Sequence, residues 1–149
     1  MARFLLATQT FVDLARSRTS SVRTWLAAAR AARGIGDTDL AVSAMSLVSL
    51  ERHFQDLQAQ GQLDAQKVAL RARCTTLAQE FRHRRSVLPF RDDELPIWSQ
   101  IQSLYPDLDV EGFVIATAIV GRLTLLGHCQ PMHTQLQSLG LLLEDPYGP

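Results

Sequence analysis

Two carboxylates near the start of one apolar segment are the first candidates for cation chemistry. Asp109 and Glu111 flank the beginning of the apolar run at residues 110–120, which predicts a helix buried on most of its surface. Carboxylate oxygens are the ligands that Mg²⁺ prefers in proteins, so the pair could hold a divalent ion weakly. The alternative is that both acids satisfy the free N–H groups and the dipole of that helix.

A second segment brings histidine and cysteine together. His128 and Cys129 are adjacent, His133 lies one helical turn further on, and Pro131 favours a helix start between them. A Cys/His pair of this kind could act as a nucleophile or contribute to a transition-metal site. No partner acid or third ligand is evident in the sequence. The competing interpretation is therefore that these histidine and cysteine residues are ordinary loop or surface residues.

Arginine accounts for nearly all of the basic residues, Lys67 being the only lysine. The densest cluster contains Arg82, Arg84 and Arg85, at the predicted end of a long helix. These cations could complement the helix C-terminus, or they could contact the phosphate groups of a nucleic acid. A second Arg-rich region on the first two helices could flank a nearby site; it contains Arg16, Arg18, Arg23, Arg30 and Arg33.

Length and composition predict one domain spanning residues 1–149 with a sizeable core. Lys+Arg and Asp+Glu are both 15, so the formal net charge is zero and any RNA contact would depend on local patches. Cys74 and Cys129 are too few for a disulfide framework, which favours a reduced, cytoplasmic setting. No apolar run reaches the ~18 residues of a membrane span, so no membrane association is expected.

The elements that must position these side chains alternate between strands and helices. Strands are predicted at residues 3–7, 40–45, 87–90, 123–126 and 139–143, with Pro89 indicating an edge strand or a strand end. Helical periodicity separates them, and it predicts Val68, Trp25 and Trp98 as core residues. This alternation is typical of an α/β fold with a mostly parallel sheet. Such folds place their sites at the carboxyl ends of the strands.

Four segments, in this order, resemble the PIN-domain family and especially its VapC-type toxin ribonucleases. They are Phe4-Leu5-Leu6-Ala7-Thr8-Gln9, Ser43-Ala44-Met45-Ser46-Leu47-Val48-Ser49-Leu50, Val87-Leu88-Pro89-Phe90, and Glu111-Gly112-Phe113-Val114-Ile115-Ala116-Thr117-Ala118, followed by Gly121-Arg122-Leu123-Thr124-Leu125-Leu126. The resemblance covers nearly the whole chain. It implies a PIN-like three-layer sandwich with a central, mostly parallel five-stranded sheet flanked by helices.

The resemblance also implies a metal site that this chain has largely lost. In the family, three or four carboxylates hold Mg²⁺ or Mn²⁺, which activates water to cut RNA. The first acidic position falls here on Ala7, the second on Ser49, the third on Glu111 and the fourth at or near Met132. We therefore expect no cofactor, with Glu111 as the only matching ligand if a metal binds.

Two interpretations of function follow. The first is a catalytically degenerate PIN-like domain, a non-nuclease binding or regulatory remnant of a VapC-type toxin. The alternative is a weak Mg²⁺- or Mn²⁺-dependent endoribonuclease with the rearranged acids Glu51, Asp109 and Glu111. Against it, Glu51 lies two residues beyond Ser49, which rotates its side chain by ~200° around a helix. Whether the chain is an enzyme stays open, and the lost acids favour a protein without nuclease activity.

The partners and the geometry of the site can also be predicted. The resemblance implies an antitoxin-like partner whose helix lies in a groove, possible RNA contact, and pairing as a homodimer. Ala7, Ser49, Glu111 and the loop at residues 128–132 should converge at the carboxyl edge of the sheet. Glu111 should be the only well-placed acid there, with its carboxylate held by hydrogen bonds or water rather than by a metal ion.

Overall fold

The fold is a parallel sheet whose strands are connected through helices, in a computed structural model that describes residues 2–16 and 19–148. The strands are β1 Phe4–Leu6, β2 Leu40–Ser43, β3 Val87–Leu88, β4 Thr124–Leu126 and β5 Leu142–Glu144. The helices are α1 Thr8–Arg16, α2 Ser21–Arg33, α3 Ala44–Ala59, α4 Ala65–His83, α5 Leu95–Leu104, α6 Val110–Gly121 and α7 Pro131–Leu136.

The sheet has the strand order β3-β2-β1-β4-β5, and each neighbouring pair is parallel. Parallel neighbours need long crossover connections, which explains why helices separate all the strands. β3 lies at one edge of the sheet and ends at Leu88, directly before Pro89, which agrees with both interpretations of this proline. The predicted α/β fold with a central five-stranded sheet is confirmed.

Helices cover both faces of the sheet because the strands are apolar on both sides. Phe4 and Leu6 of β1 belong to a core with α1, α2, α3 and α4, whereas Leu5 belongs to a second core with α5, α6 and α7. Successive strand residues point to opposite faces, so the first four strands each contribute to both cores, whereas β5 packs only Leu143 against the second core. Trp25 packs against the first core and Trp98 against the second, which confirms their predicted role.

Several predicted boundaries were wrong, and local capping explains the clearest case. The second strand ends at Ser43 rather than at residue 45, because the Ser43 hydroxyl accepts the Met45 N–H at 3.1 Å and caps α3. The last strand begins at Leu142 rather than at residue 139, since Gly140 adopts a φ of 102° in the preceding turn. Val68 is 51% exposed and is not a core residue.

The strand order creates the place where a cleft can form. The chain moves from β1 outward through β2 to β3, then returns to the opposite side of β1 to form β4 and β5. At such a reversal the connecting helices leave on opposite faces and open a crevice at the carboxyl ends of the strands. No helix among the described residues is long and apolar enough to cross a membrane.

Candidate functional site

The predicted site residues meet in a cleft of about 510 Å³ at the carboxyl edge of the sheet. Ala7 follows β1, Ser49 lies on α3 and Glu111 lies in the first turn of α6. His128 and Met132 contribute from the segment between β4 and α7. The predicted convergence of these sequence-distant positions is therefore correct, while their functional roles remain predictions.

The floor of the cleft is set by a close approach of two backbones. The Ala7 N–H donates to the Leu126 carbonyl at 3.0 Å and extends the pairing of β1 with β4. A Cβ atom added at Gly127 would lie 2.8 Å from the Ala7 Cβ, closer than side chains pack. Gly127 is therefore required by this approach, and its N–H in turn donates to the Glu144 carbonyl at 3.1 Å.

Glu111 is held at the start of a neighbouring helix. One oxygen of its half-buried carboxylate accepts the backbone N–H of Thr8, the first residue of α1, at 3.2 Å. A negative charge is favourable at that position because the first N–H groups of a helix are unpaired and its dipole is positive there. The predicted hydrogen bonding of Glu111 is confirmed, although the partner is α1 rather than its own helix.

Two further acids, Asp107 and Asp109, also line the cleft. Both are exposed. Asp109 directly precedes α6, but its side chain does not cap this helix. The Gly112 N–H donates instead to the backbone carbonyl of Asp109. Sequence reasoning missed Asp107, although its position two residues before Asp109 was a usable signal.

Glu51 does not join these acids. Its carboxylate pairs with the Arg71 guanidinium across α3 and α4, and both residues line a separate groove between these helices. The hydrogen bond from Arg71 holds the pKa of Glu51 below its ordinary value. Because Ser49 faces the cleft and Glu51 does not, the rearranged set of Glu51, Asp109 and Glu111 is not brought together.

The histidine and cysteine residues near the cleft have structural contacts. Nδ1 of buried His133 accepts the Gln130 N–H at 3.0 Å, and burial lowers the pKa of this imidazole, which favours its neutral form. His128 stacks on the Tyr147 ring, and the backbone N–H of exposed Cys129 donates to Asp145. His128 and His133 line the cleft, whereas Cys129 does not.

The side chains at the cleft do not fit a Mg²⁺ or Mn²⁺ site. Such an ion requires several oxygen ligands converging on one point. Ala7 and Met132 offer none, and Glu111 is turned towards the Thr8 N–H. Within residues 2–16 and 19–148, no group of three or more His, Cys, Asp or Glu side chains is placed to hold a metal ion.

The arginine cluster at the end of α4 lies away from the cleft. It immediately precedes β3, and Arg84 approaches Asp37, just before β2, at 4.0 Å. The cluster is therefore near the amino ends of the strands. The Arg84 guanidinium also lies 4.8 Å from the centre of the Phe81 ring, whereas Arg82 and Arg85 are exposed.

The described members of the second Arg-rich region do not line the cleft either. Arg16 and Arg23 line a groove beside α4, Arg30 pairs with Asp37 and Arg33 with Glu144. Arg18 lies outside the described residues. Among the described residues that line the cleft, three are carboxylates and none is lysine or arginine, so the cleft is negatively charged unless a cation enters it.

Comparisons with known proteins identify the fold. No protein-family model matches the chain, and no curated protein matches its sequence. The chain matches VapBC2 from Rickettsia felis, which was solved bound to a DNA fragment from its promoter. The TM-score is 0.66 at 14% identity, and the match covers 95% of this chain and 97% of that chain.

Two other solved structures match over almost the whole length. DNA-bound VapBC from Salmonella typhimurium gives a TM-score of 0.67 at 14% identity, covering 98% of this chain and 99% of that chain. FitAcB from Neisseria gonorrhoeae gives 0.64 at 18% identity, with the same coverage. The chain therefore has the PIN-like α/β fold of these solved structures.

Proposed function

We propose that this chain is a catalytically degenerate PIN-like domain that acts by binding a partner and not by cutting RNA. The supporting observation is the cleft itself, where Ala7, Ser49 and Met132 occupy positions that are acidic in the resembled family. The remaining acid of that set, Glu111, is engaged by the Thr8 N–H. Without a cation, the negative charge of the cleft repels a phosphodiester.

RNA cleavage tests this proposal directly. We expect the purified chain to leave RNA uncut with either Mg²⁺ or Mn²⁺ present. Glu111→Gln is the matched variant, because it keeps the side-chain shape while removing the charge. Cleavage that disappears both with EDTA and in Glu111→Gln would contradict the proposal and establish a metal-dependent nuclease.

That nuclease is the alternative function, and one observation favours it. Asp107, Asp109 and Glu111 line the same cleft. If the two exposed acids turned inward on binding Mg²⁺ or Mn²⁺, they could supply the ligands that Ala7 and Ser49 lack. Asp107→Asn should then abolish cleavage, whereas Glu51→Gln, in the separate groove, should leave it unchanged.

The proposed partner is an antitoxin-like protein. The matching solved structures include a toxin–antitoxin complex from Klebsiella pneumoniae, and two of the structures described above were bound to DNA. We expect a neighbouring reading frame to encode a small protein with an amphipathic helix, and the two proteins to purify together when co-expressed. A co-expressed neighbour that elutes separately would contradict this assignment.

The remaining parts of the proposal concern assembly and location. We propose a homodimer in the cytoplasm, with light scattering expected to give twice the mass of one chain; a monomer at micromolar concentration would contradict the dimer. Weak RNA contact through Arg82 and Arg85 is also proposed because both side chains are exposed. Arg84 is the least available member of this cluster, since it contacts Asp37 and Phe81.

A further inference from the structure

The segment that follows β5, residues 145–148, is tied to the loop beside the cleft. Asp145 accepts two backbone N–H groups through its carboxylate: from Cys129 at 2.9 Å and from Tyr147 at 2.7 Å. The first bond joins this segment to the connection between β4 and α7. The second folds residues 145–147 into a turn that positions the tyrosine ring.

Tyr147 extends the connection to α1. Its ring stacks on His128 with 3.7 Å between ring centres and an interplanar angle of 10°. Its hydroxyl donates to the carboxylate of Asp13, on α1. The ring is half-buried against the core beneath α1, so Tyr147 joins two elements that are distant in the sequence.

Both ends of this connection reach the walls of the cleft. His128 lines one wall, and Gln9 lines the wall formed by α1. The Gln9 amide donates to the second carboxylate oxygen of Asp13 at 3.0 Å. A continuous set of contacts therefore runs from His128 through Tyr147 and Asp13 to Gln9.

We propose that residues 145–148 form a strap that fixes the separation between α1 and the loop from β4 to α7, and so controls access to the cleft. Opening requires only that Tyr147 leave His128 and Asp13, while the strands stay paired. Local openings of this kind occur at lower free energy than global unfolding. The strap acts on whichever molecule the cleft binds, so it does not depend on the proposed function.

Hydrogen exchange of the free protein, followed amide by amide, tests the strap. In Tyr147→Phe, which keeps the ring but loses the hydroxyl, we expect the Cys129 amide to exchange roughly fivefold faster, as for one lost hydrogen bond. Tyr147→Ala should increase that rate further, and Asp13→Asn should act in the same direction as Tyr147→Phe. Strand amides such as those of Leu5 and Val42 should keep their protection in Tyr147→Phe.

Tyr105→Phe is the matched control, since the Tyr105 hydroxyl bonds Gln135 on α7 without contacting the strap. It should leave exchange at Cys129 unchanged. Two results would overturn the proposal. Unchanged exchange at Cys129 in both Tyr147 variants would mean that the segment does not hold the loop, and an equal increase in the strand amides would make Tyr147 an ordinary core contact.

Discussion

At the scale of single residues, Ala7 and Gly127 shape the floor of the cleft and Glu111 ties two of its walls together. The space at Gly127 is taken by the methyl group of Ala7. The Glu111 carboxylate accepts a hydrogen bond from the Thr8 N–H. A position that is acidic in the resembled family therefore serves here as a contact between helices.

Gly127→Ala should lower the free energy of unfolding by about 1–3 kcal/mol, the usual cost of overpacking a rigid site. The added methyl group would lie 2.8 Å from the Ala7 Cβ, and neither atom can move without its backbone. In an Ala7→Gly background the same change should cost less, because its steric partner is gone. Urea denaturation of the four proteins gives the coupling energy, and an equal cost in both backgrounds would refute the contact.

Glu111→Gln should lower the free energy of unfolding by about 1 kcal/mol, since it removes a charged acceptor from the start of α1. Asp109→Asn is the matched control on the same helix start, because Asp109 is exposed and makes no side-chain cap. Its effect should stay within about 0.5 kcal/mol. Thermal and urea unfolding would show the difference; equal effects would mean that the Thr8 bond contributes nothing.

At the scale of elements, α1 is fixed at both of its ends by other parts of the chain. At its start, the Thr8 hydroxyl and the Ser46 hydroxyl lie 2.8 Å apart, which joins α1 to α3. Further along, Asp13 receives the Tyr147 hydroxyl from the strap. At its end, the Arg16 carbonyl accepts a hydrogen bond from Arg73 on α4 at 3.0 Å. Movement of either cleft wall therefore has to break contacts that join α1 to its neighbours.

The stability that Asp145 of the strap contributes to the folded protein should be lost in acid. Partial burial acts to raise the pKa of Asp145, but the N–H groups of Cys129 and Tyr147 outweigh it and hold this pKa below its ordinary value. A carboxyl group whose pKa is lowered in the folded state stabilises the fold when it is ionised. This contribution is complete above the ordinary carboxyl pKa of ~4, and it is lost as the pH falls through the pKa of the folded state.

Comparison of the wild type with Asp145→Asn in urea, between pH 7 and pH 3, measures this contribution. The stability advantage of the wild type should be constant above about pH 5 and shrink below about pH 4. Arg33→Gln is a control in the same region, because it breaks the ion pair with Glu144 without touching the strap. An advantage that does not change with pH would show that the Asp145 charge is not involved.

At the scale of the whole molecule, the cleft exists because separate elements end at one edge of the sheet. Ala7, Ser49, Glu111 and Met132 come from four places along the chain and line the same cavity. Four carboxylates at these positions would repel one another unless a cation neutralised them. Ala7, Ser49 and Met132 carry no charge, so the present side chains avoid that repulsion.

The triple variant Ala7→Asp, Ser49→Glu and Met132→Asp tests the consequence. It should bind Mn²⁺ more tightly than the wild type by calorimetry, because three carboxylates would join Glu111. In EDTA it should be less stable than the wild type, and added Mn²⁺ should restore its melting temperature. A triple variant that is unaffected by EDTA and Mn²⁺ would show that these positions do not form a common site.

Local patterns in the sequence were sufficient for the order of the elements. Apolar periodicity reports whether a segment is a strand or a helix, and the alternation of the two predicted the parallel sheet. The rotation between Ser49 and Glu51 along a helix likewise predicted that only one of them could face the cleft. Boundaries such as Ser43 were missed because a single side-chain cap decides where a helix begins.

The contacts that define the cleft were decided only by the tertiary structure. Glu111 bonds an N–H 103 residues away, and Tyr147 reaches a carboxylate 134 residues away. Apolar periodicity describes one element at a time and carries no information about which helix start a carboxylate will meet. The sequence by itself therefore determined the fold class and which residue types stand at the positions matched to the resembled family. The partners of Glu111, Glu51 and Tyr147 depend on how the helices pack across the sheet.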